Sequence, residues 1–184
     1  MSHPNIIDKS NSALVVIDIQ DPLLKVIHES ERMVANVIKL IEAAKVFDLP
    51  ILVPLQYAAR LGDVHEPIAN ALPTDKRFDK MTFSCVGSLD FLDALQATGR
   101  NQVILCGIEA HVCVNQTAHD LLERNYSVHV IEDAVSSRRR DDWECAVEKM
   151  RSSGCVISST EMAIFELTRD ASIPEFKRIL PIVK

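Results

Sequence analysis

The sequence predicts an α/β fold of three layers, with a mostly parallel sheet between two layers of helices. Three observations lead there: short β-branched runs that read as strands buried on both faces, amphipathic stretches alternating with them, and Gly or Asn residues closing those stretches. Residues 13–18 (ALVVID) form the first run. Residues 29–47 then place Met33, Val34, Val37, Ile38, Ile41 and Ala44 on one helical face. Residues 51–55 (ILVPL) read as the second strand. The following stretch, 56–82, carries Gly62, Pro67 and Pro73 with weak periodicity, and its length suits a functional loop better than a simple connection.

A helix over 89–98 ends at Gly99, which suits a left-handed C-cap. Residues 102–106 (QVILC) are the third strand, and after Gly107 a helix over 112–124 carries Val114, Ala118, Leu121 and Leu122 before stopping at Asn125. Residues 127–131 (SVHVI) are the fourth strand. A helix over 142–153, with Trp143, Ala146, Val147 and Met150 on its apolar side, closes at Gly154, and 155–158 (CVIS) are the fifth strand. Right-handed crossovers make this alternation a layered parallel sheet, and no boundary divides residues 1–184, which read as one domain.

Composition narrows the function. Of 184 residues, 47% are apolar and 25% charged, enough to bury a core, while 5 Gly and 8 Pro leave no low-complexity stretch. The formal net charge of −6 argues against a nucleic-acid or anionic-membrane surface, so a small-molecule substrate is the expected partner. No run approaches the roughly 18 apolar residues of a membrane span, and MSHPNIIDKSNS lacks a basic segment followed by an apolar one, so the expected location is the cytoplasm. Five cysteines without a Cys-x-x-Cys spacing suggest free thiols rather than disulfides or zinc.

In open α/β sheets ligands bind beyond the carboxyl ends of strands, which directs attention to Asp18, Gln56, residues 107–113 and Asp133. The glycine-rich nucleotide loops and the G-x-S-x-G elbow are absent. Asp63 and His65 lack a further ligand at metal spacing and read as an exposed loop pair, so neither metal nor cofactor is expected. Cys113 stands near the start of a helix, after a strand and a glycine, where unpaired N–H groups and the helix dipole suit a thiolate. Its alternative is a buried thiol acting as a small hydrophobe, the reading adopted for Cys85, Cys106, Cys145 and Cys155. Asp18, ending an apolar run, either anchors a loop or, with its pKa raised by burial, exchanges protons with a nearby thiol. Lys80 is either a solvated lysine or the cation beside that thiol.

Taken together, SALVVIDIQ, FDKMTFSCV and GIEAHVCVNQTAHDLLERNYSVHVIEDAVSS resemble the isochorismatase-like cysteine hydrolases over nearly the whole chain, most specifically across residues 107–134. The resemblance implies a Rossmann-like, six-stranded mostly parallel sheet, with an extra strand near 78–80. It places the nucleophile on Cys113, the acid/base on Asp18 and the lysine on Lys80. It also implies a cis Ile108–Glu109 peptide, with the N–H groups of Glu109 and Cys113 forming an oxyanion hole. The metal-binding nicotinamidases of the family carry Asp-x-His where this chain reads Leu55, Gln56, Tyr57 and Ala58. The stretch looks more like the E-Q-Y-P-x-x-L-G of a metal-free branch, with Leu55 and Ala58 replacing its glutamate and proline, and Ser159 to Met162 resembles that branch's T-E element.

Gln56, Tyr57 and His111 are therefore candidate substrate contacts, while His119 and His129 read as structural. Arg138, Arg139 and Arg140 read as a solvated helix approach capped by Ser136 or Ser137, and Trp143 as core or interface. The resemblance also implies a homo-oligomer, with Phe165 and Leu167 as candidate interface residues. The expected activity is hydrolysis of a small amide or related C–N bond through a Cys113 thioester. Two alternatives stand beside it: enol-ether hydrolysis by Asp18 of the isochorismatase type, and a non-catalytic oligomeric or thiol-sensing protein.

Overall fold

Strand β1 (Ser12–Ile17) is buried at every position. Its side chains alternate between two cores: Leu14 and Val16 join one, and Ala13, Val15 and Ile17 the other. Strand β5 (Gln102–Ile108) does the same, sending Ile104, Cys106 and Ile108 to the first core and Val103 and Leu105 to the second. This period of two, with both faces apolar, is what a sheet covered by helices on each side requires. The structure is a computed structural model that describes residues 3–74 and 76–184.

The main sheet has five parallel strands in the order β2 (Ile51–Leu52), β1, β5, β6 (Ser127–Ser136) and β7 (Val156–Ser158). The long helix α2 (Ser30–Val46) contributes Met33, Val37, Leu40 and Ile41 to the first core. In the chain it follows the short α1 (Asp21–Leu24). A separate parallel pair joins β3 (Pro54–Gln56) to β4 (Phe78–Lys80), and between them lie α3 (Ala58–Leu61) and α4 (Glu66–Ala71). The second core takes Phe91 and Leu95 from α5 (Leu89–Ala97), Ala118 and Leu121 from α6 (Asn115–Glu123), and Ala146 and Met150 from α7 (Arg140–Ser152). Helices α8 (Thr160–Thr168) and α9 (Phe176–Val183) cover the first core.

The single strand expected over 51–55 is divided after Leu52. Proline at 54 has no N–H to give to a ladder, and the chain passes from pairing with β1 to pairing with β4. The sheet of six strands implied by the resemblance is therefore a sheet of five with a pair beside it. The added strand at Phe78–Lys80 is present as β4. Strand β6 extends five residues beyond the expected end, across a register shift opposite Leu105 and Gly107. Leu167 is 2% exposed and belongs to the core, which corrects its expected place in an interface, whereas Phe165 is exposed. Among the described residues, no helix is long and apolar enough to cross a membrane.

Candidate active site

The carboxyl ends of β1 and β5 meet where Gly107 passes Ile17. Gly107 has φ +113°, and a Cβ there would lie 2.1 Å from the Ile17 carbonyl oxygen, so only glycine permits the approach. Directly after Ile17, Asp18 adopts a left-handed conformation with φ 53°, which an aspartate tolerates better than most residues. Its N–H donates to Pro54 O at 3.1 Å, and the residue is fully buried.

Lys80, at the end of β4, reaches the same carboxylate. Its Nζ lies 2.8 Å from Asp18 Oδ2, 2.7 Å from Gln56 Oε1, 3.1 Å from Phe83 O and 3.4 Å from Thr82 O. Four oxygens around a buried ammonium hold it charged and fixed in direction. Gln56 is itself clasped: its Nε2 donates to Met81 O at 3.0 Å, its N–H donates to Gln20 Oε1 at 3.0 Å, and Gln20 Nε2 returns to Gln56 O at 3.0 Å and Gly62 O at 2.8 Å. Both ends of the Gln56 side chain are therefore engaged within the protein. Asp18 Oδ1 is buried with no hydrogen-bond partner, and the Cys113 thiol lies beside that carboxylate.

Electrostatics couple the three groups. Burial raises the Asp18 pKa above the ordinary carboxylate value, against the opposing pull of Lys80 and of the Cys113 thiol. Burial alone would lower the Lys80 ammonium, but Asp18, Cys85 and Cys113 around it outweigh this and hold it up. Burial and then the Asp18 charge push the Cys113 thiol up, with Lys80 pulling the other way. Cys113 does not sit at the start of a regular α-helix: it lies in a wide π-type turn (Ala110–Val114) that precedes α6. Its thiol is held protonated first by burial and then by the Asp18 charge, not released by a helix terminus. Cys85, fully buried, is pushed up to about 12, and Cys106 is raised by burial alone.

The Ile108–Glu109 peptide that leads into this turn is cis. Glu109 is 8% exposed, and its carboxylate receives a two-pronged ion pair from Arg138, Nε to Oε2 at 2.9 Å and Nη2 to Oε1 at 3.0 Å. His111 is half-buried; its N–H donates to Ser137 Oγ at 3.3 Å, and its Nδ1 lies 2.9 Å from the same oxygen. Neither Ser136 nor Ser137 caps α7, whose N-cap is Arg139 without a side-chain bond; Ser136 Oγ donates instead to His28 O at 2.6 Å. Arg138 is solvated as expected, its side chain 60% exposed, but it also forks onto Glu109, a partner 29 positions earlier that no local spacing reveals.

Tyr57, with φ 40°, gives its N–H to Lys80 O at 2.9 Å and is 39% exposed. Asp63 pairs with Arg77 at 3.1 Å and His65 with Asp21, so the two do not converge on one point. Trp143 is half-buried and donates to Glu132 O at 3.1 Å.

Residues 12–162 match the Isochorismatase domain family. The chain belongs to the isochorismatase family of hydrolases. Over 178 residues it is 40% identical to the secreted isochorismatase effector Isc1 of Phytophthora sojae, covering 95% of this chain and 85% of that protein. Among solved structures it is similar to the MAR1 ribonuclease from Caenorhabditis elegans, with a TM-score of 0.91, 36% identity, and coverage of 97% of this chain and 92% of that one. The YcaC gene product of Escherichia coli, described as an octameric hydrolase of unknown specificity, shares the isochorismatase-type fold at a TM-score of 0.89 and 24% identity, covering 96% of this chain and 90% of that one.

Proposed function

We propose that this isochorismatase-family member hydrolyses a small amide or related C–N bond through a thioester on Cys113. The observation that carries the reading is the buried Lys80–Asp18 pair beside the Cys113 thiol: a cation, a carboxylate with a raised pKa and a nucleophile sharing one dry site.

In the first step the Cys113 thiol passes its proton to Asp18 as Sγ bonds to the carbonyl carbon, and the C=O electron pair moves to oxygen. The backbone N–H groups of Glu109 and Cys113 hold that oxyanion. In support, the Glu109 N–H donates to no protein acceptor among the described residues. The oxyanion collapses, the C–N bond breaks, and Asp18 gives its proton to the departing nitrogen. Water then loses a proton to Asp18 while attacking the thioester, and Sγ leaves and recovers that proton. Lys80 remains charged throughout, lowering the cost of negative charge on Asp18 and Cys113. Gln56 holds Lys80, Tyr57 lies beside Lys80 with its N–H on Lys80 O, and His111 lies within the turn; Tyr57 and His111 are the proposed substrate contacts.

Exposed Met81, Phe83, Leu89 and Phe165 support a homo-oligomer, as does the octameric state given for the bacterial neighbour. The ribonuclease description of the nematode neighbour offers a second reading, a phosphodiester substrate, against which stands this chain's net charge of −6. The test is a panel of small amides assayed for nitrogen release, with single-stranded RNA in parallel, followed by mass spectrometry of quenched enzyme. An acyl adduct on Cys113, lost in Cys113→Ala together with turnover, is the expected result. Full turnover by Cys113→Ala would overturn the covalent route, and RNA cleavage without amide turnover would favour the second reading.

A further inference from the structure

We infer that Arg138 is a positioning residue for the oxyanion-binding turn, acting through its fork on Glu109. The inference rests on the cysteine-hydrolase reading above and adds to it a residue 29 positions downstream of the one it steers.

Of three successive residues at and just beyond the end of β6, Ser136 ties the segment to its surroundings, and Ser137 and Arg138 grip the turn. Ser136 Oγ donates to His28 O at 2.6 Å, and Ser137 O accepts the His28 N–H at 2.9 Å, so this segment is itself tied to the approach of α2. Ser137 Oγ then holds His111 by its N–H and its ring nitrogen. Arg138 holds Glu109 by both carboxylate oxygens, at 2.9 and 3.0 Å. Residues 109 and 111 are thereby anchored on neighbouring points of one strap: Glu109 carries one of the two N–H groups that must converge on a single oxygen, and His111 lies between it and Cys113, which carries the other.

The pair is not a core ion pair. The Arg138 side chain is 60% exposed while that of Glu109 is 10% exposed, so the guanidinium closes over the carboxylate from solvent and adds little packing. A planar fork fixes orientation as well as distance, which a single ammonium cannot do. Arg140, two residues on, pairs with Glu144 on its own helix, with both side chains exposed, as a solvated arginine does. The contrast within one run of arginines singles out Arg138.

The test needs no substrate. Iodoacetamide alkylates Cys113 by displacing iodide and leaves no charge on a carbonyl oxygen. Butyraldehyde adds reversibly to the same sulfur: an S–C bond forms, the C=O pair moves to oxygen and the thiol proton passes to Asp18, so its affinity reports the oxyanion site. The aldehyde's protection of Cys113 against alkylation is measured in the wild type, Arg138→Ala, Arg138→Lys and the double variant Glu109→Gln/Arg138→Ala, with thermal unfolding alongside. Loss of a well-placed oxyanion donor costs about 100-fold, so a displaced one should weaken aldehyde protection by about 10-fold or more, with alkylation rate and pH profile within about two-fold of wild type.

Arg138→Lys should recover only part of the loss. The double variant strands no buried carboxylate; it should unfold near the wild-type temperature and still lose aldehyde affinity. Unchanged aldehyde protection in the folded double variant, or full recovery in Arg138→Lys, would overturn the inference. So would a parallel fall in alkylation and protection, since that marks a general structural role. If the wild type itself shows no aldehyde protection at Cys113, the cysteine reading fails, and this inference with it.

Discussion

Gly107 and Ile17 approach so closely that any side chain at 107 would meet the Ile17 backbone, with a Cβ 2.1 Å from its carbonyl oxygen and 2.7 Å from its nitrogen. This contact brings the end of β5, and the turn that follows it, against Asp18. Gly107→Ala therefore combines a strained positive φ with a backbone clash. An expected loss of about 2–4 kcal/mol in stability follows from such overpacking and strain. Urea denaturation measures it, and wild-type stability in this variant would show that β1 and β5 can part freely.

The Lys80–Asp18 pair has side chains 0% and 1% exposed, so removing one partner leaves a charge stranded away from water. Lys80→Met is expected to cost about 3 kcal/mol or more, the usual penalty for breaking a buried pair. Asp18→Asn/Lys80→Met removes both charges and should recover most of that stability. All these variants should lose turnover. A double variant no more stable than Lys80→Met would mean that the lysine acts by packing rather than by charge.

Asp18 separates reactivity from catalysis. Its charge is among the causes that push the Cys113 thiol up, while Lys80 pulls down. Asp18→Asn should therefore lower the Cys113 pKa and speed its alkylation at a fixed pH near 8. Amide turnover should fall by about 100-fold to 10,000-fold with the loss of the general base. Slower alkylation in this variant would mean that Asp18 assists loss of the thiol proton more than its charge opposes it.

What the sequence disclosed follows from where the signals lie. Burial on both faces leaves apolar runs in β1 and β5, so those strands are legible as 13–18 and 102–106, while Gly107 hides the last two residues of β5 (Gln102–Ile108). Asp18 stands out because a charged residue ending such a run needs a reason, Cys113 by its place after a strand and a glycine, and Lys80 only through the family resemblance; the structure brings them together. Other features depend on partners distant in the chain. Pro54 ends one pairing and begins another only because β4 is available to receive it. Glu132 and Asp133 mask the second half of β6 as loop, since their side chains are only half-buried there. The upward push on Cys113 comes from burial and from Asp18, neither of which a helix-start argument contains. Arg138 is solvated as its sequence suggests, but its fork on Glu109 depends on a partner that only the fold brings near.

His129 supplies a pH dependence apart from the site. It is fully buried in β6, its Nδ1 has no hydrogen-bond partner, and burial lowers its pKa from 6.5 to about 4. The folded protein thus holds this imidazole neutral while the unfolded chain takes up a proton below pH 6.5. Between about pH 6.5 and 4 the unfolded state binds more protons at this position, so stability falls as pH falls. At pH 5 the contribution is a loss of about 2 kcal/mol relative to pH 7.5, at 1.36 kcal/mol per unit. Urea denaturation of wild type and His129→Gln at the two pH values isolates it, because other titrating groups cancel in the comparison. The variant should be less stable at pH 7.5, where an amide fills the site imperfectly, yet lose less on acidification. Equal losses in the two proteins would mean that His129 is hydrated or partnered in the folded state, and that the acid sensitivity of the fold lies in its carboxylates.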